Sequence, residues 1–348
     1  MFKGKNNNSA EFNGGFNLLE AYPVRFCNII EKVASDGAPE TFAFSAPGQN
    51  VEHVIVNLCP TEPWSLPNWT ILEHKTVVFL DKLKEIRSRY LSHAKFYLAI
   101  SISEGDRIPV IKEYANRETW LEISVLDAKY PQDEPTMFAK VILGMDIGFG
   151  QDTSTQGILI LDAQTISAIY ESCIMGNNVD ARFIAVSGSG LKENEIIHVQ
   201  LGTTVEKILT DRVREAGKRR VFVNGPLRGR EITDFSRKID WSVNNIVVME
   251  EKDYKILFPM FKSSELTQTT NLLGEKRQCV YCNFCDDICP VELEPALYYH
   301  SYRRGEKHRA RFYNLERCIE CGLCSFICPS KLELLQIIKE CKNPDKNS

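Results

Sequence analysis

CVYCNFCDDICP at residues 279–290 and CIECGLCSFICP at residues 318–329 are two copies of one cysteine pattern, C-x2-C-x2-C-x3-C-P. Three thiols at such short intervals let a tight loop surround three corners of an iron–sulfur cube, and the fourth cysteine leads the chain away from it. The proline after each fourth cysteine suits the first turn of a helix, where no backbone N–H is needed. The spacing therefore predicts two [4Fe–4S] clusters.

The ligands of the two clusters are expected to be crossed between the copies. In two-cluster ferredoxins the fourth thiolate of each run binds the cluster of the other run. The predicted ligands of the first-run cluster are Cys279, Cys282, Cys285 and Cys328. The predicted ligands of the second-run cluster are Cys318, Cys321, Cys324 and Cys289.

Zinc and disulfides are the alternatives for so many cysteines. A structural zinc site uses two pairs of ligands with a long gap between the pairs, whereas here four thiols fall within eleven residues, twice. A disulfide framework belongs to secreted proteins, and this chain opens without a recognisable secretory signal. We therefore expect a protein of the cytosol with reduced, metal-binding thiols.

The overall composition excludes several classes of function. The 348 residues are 43% hydrophobic, enough for two or three domains with real cores. A formal net charge of -4 argues against a general nucleic-acid binder. No apolar run approaches the roughly 18 residues that a membrane-spanning helix requires. Any membrane association is expected to go through partner subunits.

Residues 51–130 alternate between strand-like and helix-like segments, which favours an α/β fold with a parallel sheet and helices on its faces. Ligands of such sheets bind beyond the carboxyl ends of the strands. Here these positions are 57–64, 103–106 and 130–134, and they make Glu62 and Glu104 candidate site residues. A carboxylate in a solvated loop is the ordinary alternative for both.

Residues 181–251 predict a separate small unit with short strands, and a helix is expected over 203–217. The piece NGPLRG at 224–229 follows a strand, as a phosphate-binding loop would. It lacks the Gly-Lys-Ser/Thr ending, so a structural turn is the better interpretation. Helices are expected over 253–273, before the cysteine module. The predicted domain limits are 1–46 for an N-terminal arm, 47–178 for the α/β domain, 179–252 for the small unit, 253–341 for the helical cluster module and 342–348 for a tail.

A basic group lies between the two cysteine runs of this acidic protein. It consists of Arg303, Arg304, Lys307, Arg309 and Arg311. Such a charged run is usually a solvated face. The functional alternative is a docking patch for an acidic redox partner, because complementary charge speeds the encounter of two proteins.

The order of these segments resembles the C subunit of the Rnf complex and the related A subunit of the sodium-translocating NADH:quinone reductase. The resemblance rests on KYPQDEP at 129–135, the stretch 147–172, and the segments 182–209 and 219–229. It implies that the α/β half is similar to the flavin-binding subunit of respiratory complex I, and that the small unit is a β-grasp domain of the SLBB type. The twin cysteine runs favour the Rnf protein over the reductase protein.

The resemblance implies an iron–sulfur electron-transfer subunit that sits on the cytoplasmic face of the membrane through other, integral membrane subunits. Family members also oxidise NADH through bound FMN. Asn57, Glu62 and Pro63 match the family's strand-end motif, and Glu104 at a neighbouring strand end is the further candidate for the flavin and NADH site. Two departures leave this activity open. Only Asn13–Phe16 stands for the family's glycine loop, and Pro60 replaces a carboxylate. The alternatives are therefore a complete FMN-dependent NADH-oxidising subunit, or a reductase partner of a soluble enzyme such as a corrinoid protein.

Overall fold

The computed structural model describes residues 51–66, 68, 72, 75–148, 153–214, 217–251 and 276–342, and the backbone of three strands before them. Asn13–Phe16 and the helices expected over 253–273 lie outside the described residues. The three early strands are β1 (Lys3–Asn6), β2 (Ile30–Val33) and β3 (Thr41–Phe44). Within the described part of the chain no helix is long and apolar enough to cross a membrane.

A four-stranded parallel sheet forms the α/β half, as the alternating pattern predicts. Its strands are β4 (His53–Asn57), β5 (Lys95–Ser101), β6 (Leu121–Leu126) and β7 (Ile158–Asp162), in the order β6-β5-β4-β7. The accompanying helices are α1 (Thr76–Tyr90), α2 (Ile108–Ala115), α3 (Pro135–Leu143) and α4 (Ala163–Ile169).

Both faces of this sheet are covered, which explains why its strands are apolar throughout. On one face Val54 and Val56 pack with Phe79 and Leu83 of α1. On the other face Ile55 packs with Phe138 of α3. Because all four strands run parallel, the loops after their carboxyl ends lie along one edge of the sheet. We call this the sheet edge.

A six-stranded mixed sheet forms the second unit. Its strands are β8 (Ala181–Ser187), β9 (Glu195–Gln200), β10 (Lys218–Val223), β11 (Arg230–Ile232) and β12 (Asn245–Glu251), with β1 paired to β9. The order β1-β9-β8-β12-β10-β11 places the first and last strands of the unit, β8 and β12, in parallel at its centre. A central parallel pair flanked by two antiparallel hairpins is the arrangement of a β-grasp unit.

The helix expected over 203–217 is shorter in the structure. Helix α5 spans only Val205–Leu209, capped by the Thr204 hydroxyl. The chain leaves it at Asp211, whose φ is 64°, and Val213 then forms a bridge with Leu191. Pairing with the loop between β8 and β9 therefore overrides the helical propensity of the segment.

The cysteine module is an internal repeat in which equivalent positions are 39 residues apart, as Cys279 is from Cys318. Helix α6 (Phe284–Asp287) corresponds to α8 (Leu323–Ile327), and α7 (Pro295–Arg303) to α9 (Leu334–Lys342). Between them, residues 307–313 and 315–317 form short 3-10 turns. The limits proposed for all domains from the sequence stay predictions.

Candidate metal centre

The two cysteine loops have the same backbone conformation. Left-handed residues occur at equivalent positions, at Tyr281 and Glu320 and again at Asn283 and Gly322, where each short helix begins. Asparagine and glycine tolerate this conformation better than other residues. The same local geometry is therefore built by two different sequences around the same cysteine spacing.

Gly322 has a second reason to be glycine. A Cβ atom at this position would overlap the backbone of Leu227, mainly its carbonyl oxygen. This loop therefore packs closely against the β-grasp unit. The equivalent Asn283 is exposed. Of the two loops, the second is thus the one packed against the β-grasp unit.

The buried thiol of Cys324 shows which cysteines lie close together. Burial raises the pKa of Cys324, and the charges of Cys318, Cys321, Cys285 and Cys289 raise it further. The charge of Cys289 also acts on the pKa values of Cys318 and Cys321, which burial raises first. Cys289, the last cysteine of the first run, therefore lies close enough to Cys318, Cys321 and Cys324 to influence their pKa values, as Cys285 does for Cys324. This grouping supports the crossed ligand set, which stays a prediction.

Hydrogen bonds also connect the segment beside Cys328 to the first run, whose cluster Cys328 is predicted to bind. The Arg277 N–H donates to the Ser330 carbonyl at 2.9 Å, and the Ser330 hydroxyl donates to the Gln278 carbonyl at 2.7 Å. These bonds tie the start of the first run, beside Cys279, to the end of the second run, beside Cys328. Cys328 is thus held on the side of the first run.

The donor set fits iron–sulfur clusters. The sequence carries eight thiols in two runs of four, and backbone N–H groups already point at two sulfurs, from Leu293 to Cys289 Sγ at 3.3 Å and from Glu320 to Cys318 Sγ at 3.4 Å. Such N–H···S bonds are a protein's usual means of stabilising and tuning a cluster. Among the described residues no three His, Cys, Asp or Glu side chains converge on a site for a single metal ion.

The surroundings of the two runs differ. Near the first run Val280 and Tyr281 are each 65% exposed and Phe284 is 49% exposed, and Cys285 is the one buried cysteine of that run. In the second run Cys321, Gly322 and Cys324 are buried. The first cysteine loop faces solvent, and the second faces the interior of the protein.

The second loop meets the sheet edge and the β-grasp unit in a polar cluster that we call the junction. It consists of Thr61, Glu62, Tyr130, Asp133 and Arg228. Arg228 forms an ion pair with Asp133, and its guanidinium carbon lies 4.9 Å from the centre of the Tyr130 ring. The Tyr130 hydroxyl in turn donates to the Cys321 carbonyl. The junction therefore joins all three units at the second cysteine loop.

Glu62 anchors the β-grasp unit to the sheet edge. Its carboxylate accepts the Leu227 N–H at 2.7 Å and the Arg228 N–H at 3.3 Å. The interpretation of 224–229 as a turn is confirmed, and the anion that its N–H groups hold is a side chain of the same protein. Burial raises the pKa of Glu62 to about 7, although these N–H groups and the Arg228 charge oppose the shift.

Asn57, Glu62 and Glu104, the candidate residues for a flavin and NADH site, each make different contacts. The side chain of Asn57 accepts the Cys59 N–H at 2.9 Å, and Glu62 is engaged in the junction. Glu104 forms an ion pair with Arg107 and lines a cavity of about 670 Å³ beside the first residues of α1. Asn57 and Glu62 do not line that cavity. The described residues thus do not gather the three side chains into one flavin site, and their role stays a prediction.

The basic group is largely a surface feature. Arg303, Arg304, Arg309 and Arg311 are exposed, while Lys307 is half-buried and pairs with Glu340 at 3.6 Å. Phe312, next in sequence, is 80% exposed. Tyr281 of the first cysteine loop stacks on His300, which lies in α7 just before Arg303. The basic group and the exposed apolar residues of the first run therefore occupy neighbouring surface.

Sequence reasoning did not single out Tyr130, Asp133 and Arg228 as interacting residues. Positions 130–134 were recognised only as a strand end, and Arg228 only as part of a turn. Arg228 and Asp133 are 95 positions apart in the chain, and Cys321 is 191 positions from Tyr130. The only hint in the sequence was the charged residue Arg228 in the glycine-containing turn at 224–229.

Comparison with known families defines the class of the C-terminal module. A sequence model described as a 4Fe-4S dicluster domain matches residues 278–332. The match confirms the prediction of iron–sulfur clusters for this segment.

Two relatives that match most of this chain are C subunits of redox complexes. The C subunit of the ion-translocating oxidoreductase complex of Haemophilus influenzae (strain ATCC 51907 / DSM 11121 / KW20 / Rd) is 24% identical over 75% of this chain and 30% of its own length. The C subunit of the Na(+)-translocating ferredoxin:NAD(+) oxidoreductase complex of Acetobacterium woodii is 24% identical over 72% of this chain and 52% of its own length. The predicted resemblance to Rnf C subunits is confirmed. The chain spans a third to a half of the length of these relatives.

Among solved structures, an NAD+-reducing [NiFe]-hydrogenase in the H2-reduced state is similar with a TM-score of 0.49 and 13% identity, over 83% of this chain and 54% of the other.

Proposed function

We propose that this chain is an iron–sulfur electron-transfer subunit of a membrane-associated Rnf- or Nqr-like oxidoreductase complex. The observation that carries the proposal is the twin cysteine run, which a 4Fe-4S dicluster domain matches over residues 278–332. Each [4Fe–4S] cluster, when bound, accepts and releases one electron at a time. The relatives named for ion-translocating complexes support the same role.

The residues of the chain hold and shield these groups. Cys279, Cys282, Cys285 and Cys328 would hold the first-run cluster, and Cys318, Cys321, Cys324 and Cys289 the second-run cluster. The N–H groups of Leu293 and Glu320 stabilise the sulfurs of Cys289 and Cys318. Burial around Cys321 and Cys324 excludes water from the second site.

The partners would be the other subunits of the complex, including integral membrane subunits that hold this chain at the cytoplasmic face. An acidic redox protein would dock beside the first run, on the surface formed by the basic group and Phe312. The name of the Acetobacterium woodii relative, which includes ferredoxin, supports a partner of this kind.

Metal analysis and EPR test the proposal on the reconstituted full chain. We expect about eight iron and eight sulfide per chain, as two [4Fe–4S] clusters require. Cys289→Ala should damage the cluster of the second run, whereas Cys285→Ala should damage that of the first. Loss of only the first-run signal in Cys289→Ala would show that the ligands are not crossed. Stoichiometric zinc without sulfide would refute the proposal itself.

The cavity beside Glu104 favours one further activity, oxidation of NADH through FMN by the α/β half. Lys75 and Arg107 bring positive charge to the lining of this cavity, and Glu104 and Asp106 balance it. Purification of the intact complex followed by denaturation should release FMN. If no flavin binds after reconstitution with FMN, the α/β half is a scaffold for the clusters alone.

A further inference from the structure

The two cysteine runs carry different charges in their own sequence. The stretch 279–294 contains four carboxylates and no Lys or Arg, and the stretch 318–333 contains two carboxylates and one lysine. Asp286 lies against the first run, since the Cys285 thiol is 3.3 Å from its carboxylate. The first run is therefore acidic as well as exposed.

Tertiary contacts bring positive charge to the second run. Arg228 Nε donates to the Tyr130 hydroxyl at 3.3 Å, and this hydroxyl donates to the Cys321 carbonyl. Lys342 Nζ donates to the Cys318 carbonyl at 2.6 Å and pairs with the Glu320 carboxylate at 2.9 Å. Two cations from distant parts of the chain thus act on the loop that carries three of the four predicted ligands.

Arg228 stays protonated, and its side chain is held in one position by its neighbours. Burial alone would lower the pKa of Arg228, but Asp133 and Tyr130 raise it above its ordinary value. Asp133 and Tyr130 bind the guanidinium of Arg228. Glu62 accepts the backbone N–H groups of Leu227 and Arg228, so both ends of the residue are held. A fixed cation with side-chain exposure of only 26% is weakly screened by water.

We propose that Arg228 tunes the cluster held by Cys318, Cys321, Cys324 and Cys289, because its guanidinium stabilises the reduced form of that cluster and raises its reduction potential. Reduction adds one electron, and hence one negative charge, to the cluster without any proton. A nearby cation favours that state. The inference rests on the proposed function, since it requires both clusters to be present.

EPR-monitored potentiometric titration of the reconstituted full chain tests the inference. The second-run signal is first assigned as the one that Cys324→Ala removes, because Cys324 belongs to the second run whether or not the ligands are crossed. Arg228→Gln should lower the midpoint potential of that cluster by about 59 mV. For a one-electron couple this shift is about a tenfold change in the ratio of oxidised to reduced cluster at a fixed potential. The first-run signal should not move. Arg228→Lys, which keeps the charge, should restore most of the potential.

Asp133→Asn provides the opposite test. It removes the countercharge of Arg228 and should raise the same midpoint potential. Shifts of opposite sign from the two sides of one ion pair distinguish an electrostatic effect from structural damage. If Arg228→Gln does not keep its clusters, Asp133→Asn, which retains the guanidinium, carries the test.

Arg212→Gln is the matched control. Arg212 has 20% side-chain exposure and pairs with the buried Glu195, but its partners lie within the β-grasp unit. This variant should leave both midpoint potentials unchanged. The inference is overturned if Asp133→Asn and Arg228→Gln keep full iron content and shift neither midpoint potential, or shift it in the same direction. If the wild-type chain binds no clusters, the proposed function fails instead.

Discussion

The first and second cysteine runs have the same spacing and backbone but different neighbours. The first run is exposed, acidic and next to the basic group, whereas the second is buried against the junction. The repeated motif predicts the same kind of cluster at both sites. The surrounding residues make the two sites different. We infer that the first run faces a partner and the second run faces the interior of the protein.

The largest effect is expected at the position where the two loops differ in packing. Gly322→Ala adds a Cβ that overlaps the Leu227 backbone at a residue whose φ is 76°. The strain and overlap should lower the free energy of unfolding by roughly 3 kcal/mol or more. The matched change Asn283→Ala, in the exposed loop, should cost about 1 kcal/mol, because only the left-handed backbone opposes it. Urea unfolding of both variants measures the difference, and equal losses would contradict the contrast in packing.

Glu62 gives the junction a pH dependence of its own. Its folded pKa of about 7 is above the ordinary 4.5, so its contribution is full below about pH 4.5 and is lost as the pH rises through 7. In the wild-type chain this loss should amount to about 2–3 kcal/mol in the free energy of unfolding. Glu62→Gln should remove that part of the pH dependence.

Urea unfolding at a series of pH values from 5 to 8 checks this prediction. Glu231→Gln is the control, because it removes a carboxylate that pairs with Arg220 at the surface of the β-grasp unit and keeps Glu62. Its pH dependence should match that of the wild type. A Glu62→Gln curve parallel to the wild-type curve would show that Glu62 is ionised throughout.

Tyr130→Phe should have a smaller effect at the junction. It removes the hydroxyl that joins Arg228 to the Cys321 carbonyl, at a cost of about 1 kcal/mol in the free energy of unfolding. Tyr281→Phe removes the hydroxyl of an exposed tyrosine beside the first run and should change stability by less than about 0.5 kcal/mol. If thermal unfolding gives the same stability for both variants, the hydroxyl of Tyr130 does not contribute to the junction.

The smallest effect on stability is expected on the surface next to the first run. Arg303→Glu combined with Arg304→Glu should change the free energy of unfolding by less than about 0.5 kcal/mol, because both side chains are exposed. The same change should slow association with an acidic ferredoxin at low salt and weaken its salt dependence. Stopped-flow reduction kinetics measure this, and an unchanged rate would place the partner elsewhere.

The sequence by itself determined the local features of this protein. Cysteine spacing indicated the clusters, and strand and helix periodicity indicated the parallel sheet and the small second unit, because both signals lie within a few neighbouring residues. The helix over 203–217 was predicted too long, since pairing of Val213 with Leu191 is not a local property.

Only the tertiary structure decided how the units meet. In the sequence Glu62 is only a carboxylate at a strand end, and the structure shows that the turn at 224–229 packs on it. The junction also joins Tyr130, Arg228 and Cys321, which come from three separate units. The charges around each cysteine run depend on these long-range contacts more than on the run itself. Two identical patterns in the sequence can therefore become two different sites, because packing sets the burial and the electrostatic field of each.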